Sequence, residues 1–400
     1  MNNQALTQLE LACFHLQDPE SLPISTAALW LSGKVSRDRV GDWLEERIGS
    51  LSRFRSRVQL QIGGGARWRE VPNFSLSDRL RETTASAEQF WDLLSDLHSR
   101  PLSLDEPLWS LSLVQLEERS VLLFRIHHAI ADGRALISLL TSEPSAEKSS
   151  VRASTAGHRS LRLLLRGLWS SLKLLLLSQD PPNRLKGRIG AGKRVAVSGP
   201  LPLVDLKRVA HSHRVTVNDL IIALLARTLD RYLDRPEKDL RVVIPVASKS
   251  ARAEPLSNDF GLVFLPLPLN AQDRVRQLQE AKKRMDDLKE SGQAWVISQI
   301  FKIPGRLPAF WDQWFTNFVA NKATTMMTNL RGPTERVRIA GVPLDEVAFW
   351  ASTVGRLGSG FSIMSYAGEL RIGVTTDSRL EPRPEDIVEL FERCWEEWLS

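Results

Sequence analysis

The run Val121-Leu122-Leu123-Phe124-Arg125-Ile126 is almost continuously apolar and reads as a buried strand. It ends at His127-His128, and five residues after His128 stands Gly133, which opens the helical pattern Arg134 to Leu140. The chain therefore places two histidines at a strand end, followed by a turn and a helix. A histidine in that position has its backbone fixed by the sheet while its ring projects into a cleft, as suits a base that must come within about 3 Å of a substrate proton. With an ordinary pKa near 6.5, His128 is mostly neutral at pH 7 and ready to accept a proton. Asp132 and Gly133 shape a tight turn that can aim the ring. The competing interpretation is a hydrogen-bonded structural histidine, the commoner role for a lone histidine at a strand end.

At 400 residues the chain exceeds what one hydrophobic core usually supports, so two lobes with a cleft between them are expected. Residues 1–141 read as an α/β lobe and residues 194–400 as a second. Residues 142–193, rich in Ser, Arg, Leu and Gly and holding Pro181-Pro182, read as the crossover between them. The net charge of +6 favours anionic partners such as acidic headgroups, cofactor phosphates or nucleic acid. Neither zinc-ligand spacing nor an RNA-binding signature is present, which sets nucleic acid aside. Two cysteines at opposite ends, Cys13 and Cys394, and an opening without a secretory pattern lead to the expectation of a cytoplasmic protein.

Two further segments invite a lipid role. Arg159, Arg162, Arg166 and Lys173 fall on one arc of a leucine-rich helix ending near Leu177, which suits either a membrane surface or docking on the protein's own core. The stretch from Trp295 to Phe315 carries Trp295, Phe301, Phe310, Trp311, Trp314 and Phe315, which suits either a lipid channel or plain helix packing.

The segment His127-His128-Ala129-Ile130-Ala131-Asp132-Gly133 resembles the His-His-x-x-x-Asp-Gly signature of the coenzyme A-dependent acyltransferase superfamily with the chloramphenicol acetyltransferase fold. Leu97-His98-Ser99-Arg100-Pro101-Leu102 followed by Pro107-Leu108-Trp109 resembles the stretch before the active site in bacterial wax ester synthase/diacylglycerol acyltransferases. Thr216-Val217-Asn218-Asp219, Pro245-Val246 with Asn258, and Thr328-Asn329-Leu330-Arg331-Gly332-Pro333 are similar to that family's second-lobe motifs. The chain departs from the pattern in being shorter and in carrying Leu330-Arg331 where Val-Pro is usual.

The resemblance implies an α/β fold of two chloramphenicol acetyltransferase-like lobes with the active site at their interface. It implies that His128 is the base, with His127, Asp132 and Gly133 in support. It places Asn218, Asp219, Thr328, Asn329, Pro107, Leu108 and Trp109 at the substrate. Asn218 and Asp219 are equally suited to capping a helix. Thr328 and Asn329 are candidates for hydrogen-bonding an anionic tetrahedral intermediate, or else form a turn before Gly332-Pro333. Acyl-CoA enters as cosubstrate, an alcohol as acceptor, and no metal or prosthetic group is called for. Peripheral contact with a membrane or lipid droplet is the further expectation. Alternatives are a same-fold enzyme with a carrier-protein donor or a sugar, polyketide or amine acceptor, and a non-catalytic lipid-binding scaffold.

Overall fold

The computed structural model describes residues 4–61, 65–131, 133–141, 177–236, 238–247, 260–290 and 309–400. Asp132, Asn258, the basic leucine-rich segment up to residue 176 and the aromatic segment up to residue 308 lie outside them. In chain order the first half comprises α1 (Gln8–His15), β1 (Ile24–Leu31), α2 (Arg37–Ile48), the hairpin β2 (Ser56–Leu60) and β3 (Ala66–Glu70), β4 (Leu80–Thr84), α3 (Ala87–Ser99), β5 (Trp109–Gln115), β6 (Ser120–His127) and α4 (Gly133–Thr141). Next come β7 (Lys193–Val197), β8 (Leu201–Pro202), α5 (Leu203–Ser212), α6 (Val217–Tyr232), β9 (Arg241–Ala247), β10 (Phe260–Pro266) and α7 (Arg274–Glu290). The chain closes with α8 (Ala309–Ala320), β11 (Thr325–Arg331), β12 (Arg338–Ile339), β13 (Val342–Trp350), β14 (Ser359–Tyr366), β15 (Glu369–Asp377) and α9 (Pro384–Leu399).

Two sheets organise these elements. The first runs β12-β13-β1-β6-β5-β4 and the second β10-β9-β11-β14-β15-β7, with β8 paired to β15. All eight residues of β1 and of β6 are buried, so these strands need neighbours on both edges and cover on both faces. The second edge of β1 is taken by β13, in the antiparallel register Ala27↔Phe349 and Ala28↔Ala348. The first sheet thus includes a segment from beyond residue 194. Residues 338–350 belong to the first sheet although they follow β11 of the second, because among the described residues no other strand closes that edge.

Local signals set the helix starts. Thr7 with Glu10, Ser86 with Gln89 and Thr216 with Asp219 form reciprocal capping boxes at α1, α3 and α6. Beneath the first sheet, Trp109 stacks on Phe124 with ring centres 5.6 Å apart and planes 6° from parallel, and Phe54 meets both edge-on. A separate core gathers the inward faces of α6 and α9 under the second sheet. Among the described residues no helix is long and apolar enough to cross a membrane.

The two sheets are tied by buried polar groups. Lys193 is almost sealed from solvent, and its Nζ donates to Asp377 Oδ2 at 2.6 Å, Gly190 O at 2.8 Å and Glu20 O at 3.1 Å. Trp350 Nε1 donates to Ala196 O at 3.0 Å, joining β13 to β7. On the other side α1 meets α8, where His15 Nδ1 lies 2.7 Å from Asp312 Oδ2. Removing one member of a buried ion pair leaves the other charge without its partner, at a cost of about 3–5 kcal/mol. Asp377→Ala is therefore expected to lower unfolding stability by about that amount, and Lys193→Met combined with Asp377→Leu to recover part of it, as read by urea denaturation.

Candidate active site

Strand pairing fixes both histidines through the backbone before any side chain acts. β1 and β6 run antiparallel with Ile24 opposite His127 and Ser25 opposite Ile126. The His127 N–H donates to Leu108 O at 3.0 Å, and the His128 N–H donates to Pro23 O at 2.8 Å on the other side. The Ile130 N–H then returns to His127 O at 2.9 Å, closing the turn. Adjacent residues are thus held by opposite neighbours, and their rings part.

His127 turns into the core and has no exposed surface. Its Nδ1 accepts the Ala129 N–H at 3.0 Å, which assigns the remaining proton of the neutral ring to Nε2. Burial, reinforced by His128 beside it, pushes its pKa down to about 3. It braces the turn as an uncharged residue. His128 takes the opposite course, with Nε2 3.3 Å from Ser25 Oγ on the wall of a cavity of about 430 Å³.

That cavity lies between the lobes. Leu9, Ala12, Leu16 and Pro23 line it from the first half of the chain, and Val243, Ile244, Phe264 and Leu357 from the second. Its polar groups are few. Asn218 stands in the first turn of α6, where the helix dipole and free N–H groups favour negative charge. Asn329 Nδ2 donates to Asn218 Oδ1 at 3.3 Å, and Thr328, nearly buried, precedes it on β11. Gly133 also lines the cavity. A Cβ there would stand 2.7 Å from Phe349 Cζ and 3.1 Å from Leu330 Cδ1, so a larger residue would force one of these side chains to shift where α4 starts close to β13 and β11.

The structure thus brings His128, Gly133, Asn218, Thr328 and Asn329 to one cavity, and Pro245 and Val246 with them. Four further residues expected at the substrate do not line this cavity. Pro107, Leu108 and Trp109 are buried away from it. Their apolar bulk belongs to the core, where Leu108 O holds the His127 backbone and Trp109 Nε1 donates to Phe54 O at 2.8 Å. Asp219 is also outside the cavity wall. Its Oδ2 is spent on the helix cap, accepting from Thr216 N at 2.9 Å and Thr216 Oγ1 at 2.8 Å.

Ser25, Asp312 and Cys13 are among the cavity residues that were not anticipated. Ser25 owes its place to the β1–β6 register, a pairing across about a hundred residues that no local pattern signals. Asp312 and Cys13 meet the cavity through the α1–α8 contact. Burial, with Glu10 and Asp312 nearby, pushes the Cys13 thiol up to about 12, so it stays protonated and unreactive. Taken together, the cavity offers a basic nitrogen, a hydroxyl beside it, further amide and hydroxyl groups, and largely apolar walls. These are the requirements of acyl transfer to a hydroxyl.

Two buried histidines set a pH dependence. His98 accompanies His127, with its pKa also pushed down to about 3 by burial and then by Arg125 and Lys193; its Nδ1 lies 2.8 Å from Thr26 Oγ1. The folded values lie below the ordinary 6.5, so between those limits the unfolded chain binds more protons. Stability from these rings is full above about pH 6.5 and declines as the pH falls toward 3, by up to about 1.4 kcal/mol per unit and per ring. Urea midpoints taken at pH 7.5 and 5 should show that loss, with a shallower decline for His98→Gln. Equal midpoints would contradict neutral burial.

Comparison with known proteins agrees with this geometry. Residues 31–158 match the wax ester synthase/diacylglycerol acyltransferase catalytic domain, and residues 256–397 match the C-terminal domain of the same family. A probable diacylglycerol O-acyltransferase of Mycobacterium tuberculosis is 23% identical over 93% of this chain and 90% of its own length. Wax ester synthase/diacylglycerol acyltransferase 7 of Arabidopsis thaliana is 26% identical, with 90% of each protein covered. The solved wax ester synthase/diacylglycerol acyltransferase from Marinobacter aquaeolei VT8 shares the fold with a TM-score of 0.72 at 18% identity, over 99% of this chain and 98% of that one. The first condensation domain of the calcium-dependent antibiotic synthetase shares the two-lobed architecture with a TM-score of 0.67 at 15% identity, over 99% and 95%. With both domain models matched in order along the chain, this protein belongs to the wax ester synthase/diacylglycerol acyltransferase family.

Proposed function

We propose that this chain is an O-acyltransferase that moves a fatty acyl group from acyl-CoA to the hydroxyl of a long-chain alcohol or diacylglycerol, giving a wax ester or triacylglycerol, with His128 as general base. The observation that carries the proposal is the opening of His128 Nε2, beside Ser25, onto an apolar cavity between the lobes.

In this mechanism the acceptor hydroxyl replaces Ser25 as the partner of Nε2. Its oxygen attacks the thioester carbonyl as its proton passes to Nε2, forming a tetrahedral oxyanion and an imidazolium. Thr328 Oγ1 and the amides of Asn329 and Asn218 are the donors available to meet that oxyanion. Collapse breaks the carbon–sulfur bond, and the departing thiolate takes the proton from His128. Ester and free coenzyme A leave, and the base is neutral again. No acyl-enzyme is formed, and water, which would hydrolyse the thioester, is kept out by the apolar walls. The basic leucine-rich segment, which suits either a membrane surface or docking on the protein's own core, lies outside the described residues.

His128→Ala is expected to keep the fold and melting temperature and to lower kcat by about 10²–10⁴-fold, as loss of a general base does. Near-normal turnover by a folded His128→Ala protein overturns the assignment. Thr328→Val with Asn329→Ala is expected to lower kcat by about 10²–10³-fold with a smaller change in KM, because those donors act on charge that develops during reaction. Mass spectrometry of products from a panel of acyl-CoAs against fatty alcohols and diacylglycerol tests donor and acceptor together. Turnover with an acyl carrier protein but with no free acyl-CoA would refute the proposed donor.

A further inference from the structure

The cavity reaches solvent where two strands of the second sheet part. β9 and β11 run parallel and pair at Thr325↔Val242 and Met326↔Val243. Continued in that register, Asn329 would face Val246, but the pairing ends before Pro245, whose nitrogen has no proton to give a neighbouring strand. From there β9 keeps only β10, with Pro245 opposite Leu262 and Val246 opposite Gly261. Among the described residues that wall the cavity, Val246 and Asn329 are the exposed ones, which marks this gap as a mouth.

Arg331 stands on the rim of that mouth. Successive side chains of a strand alternate in direction, and along β11 Asn329 and Arg331 are exposed while Leu330 between them is buried. Arg331 therefore leaves the strand on the same side as Asn329, about 7 Å farther along it. The Asn329 amide is engaged with Asn218, whereas among the described residues the Arg331 guanidinium has no hydrogen-bond or ion-pair partner. Carboxylates on the neighbouring helices are already engaged. Asp219, next to Asn218, caps α6, and Asp286, next to the cavity residue Met285, holds Lys282 at 2.6 Å and Lys289 at 3.0 Å. An uncompensated positive charge with a fork of N–H donors is thus presented beside the opening.

We infer that Arg331 docks a phosphate of the coenzyme A moiety, so that the acyl donor enters between β9 and β11; the inference rests on the acyltransferase function proposed above. Coenzyme A is a thin, amide-bearing arm with the thioester at one end and phosphates at the other. With the thioester carbonyl at Thr328 and Asn329, the arm runs outward along β11 toward Arg331. The side of β11 that β9 has left offers backbone groups with no strand partner among the described residues, and these can meet the amides of the arm. At its end the guanidinium matches phosphate oxygens in geometry and charge. The departure Leu330-Arg331 from the usual Val-Pro thereby gains a use. The other approach to the cavity argues the same way. There Leu16 and Thr316 are shared with a pocket of about 490 Å³ in which Asp18 and Glu20 stand with Arg188 and Arg356, so phosphates would find no net attraction. That side is left to the uncharged acceptor.

The test is calorimetric binding of free coenzyme A to the full chain, together with steady-state kinetics on palmitoyl-CoA. Arg331→Ala should raise the Kd of coenzyme A and the KM of palmitoyl-CoA by at least about tenfold with kcat little changed, and native binding should weaken as salt rises. That rise in KM should vanish with palmitoyl-pantetheine as donor, which has the same arm and no phosphate. Arg331→Lys should restore part of the affinity, as a point charge without the fork. Should the alanine variant prove unstable, Arg331→Gln serves the same comparison. An unchanged KM for palmitoyl-CoA in a folded variant overturns the inference, as does an equal rise with palmitoyl-pantetheine, because the substitution then acts on the shape of the mouth and not on a phosphate. Native protein that binds coenzyme A through Arg331 yet acylates no alcohol from either donor would instead count against the acyltransferase function.

Discussion

The antiparallel pairing of β1 with β6 is the constraint on which the site depends. It delivers the carbonyls of Pro23 and, through the start of β5, Leu108 to the amides of two consecutive histidines from opposite sides. One ring goes into the core and stays neutral, and the other goes into the cavity with a hydroxyl beside its Nε2. The division of labour between His127 and His128 is thus a backbone effect. No difference in side-chain chemistry separates the two residues, and exchanging their environments would exchange their roles.

Around that pair the second lobe supplies what the first lacks. β11 runs parallel to β14 and presents Thr328 and Asn329 at the cavity, while the capping box of α6 frees Asn218 to face the same space. Asp219 and Asn218 are neighbours on one helical turn, yet one is spent on local structure and the other turns to the site. The same separation recurs at Pro107-Leu108-Trp109, where a motif that resembles a substrate contact holds the strand behind the base. Motif residues therefore act at two distances from the reaction, and spacing in the chain does not distinguish them.

Much of this was legible in the sequence. The helix Ala87–Ser99 and the strands around Val121–Ile126 and Glu369–Thr375 follow from period and capping, because each is dictated within ten or so residues. The strand-end position of His128 was legible for the same reason. β13 was not, since Val342–Trp350 acquires its place only by pairing with β1, more than three hundred residues earlier. Ser25 and Asp312 were hidden by the same cause, being brought to the cavity by contacts between α1, β1 and elements from the far half of the chain.

The path of β13 carries a consequence for how the molecule opens. Two lobes around a cavity suggest a hinge, with halves swinging apart to admit substrate. Here the second half of the chain leaves its own sheet after β11, closes the edge of β1, and returns as β14, so the lobes are stitched together by covalent backbone at the level of the sheets. Parting them would strip β13 from β1 and bare the edge of a wholly buried strand, an invitation to pairing with other chains. Traffic to the half-buried base therefore has the two sheets as a fixed frame.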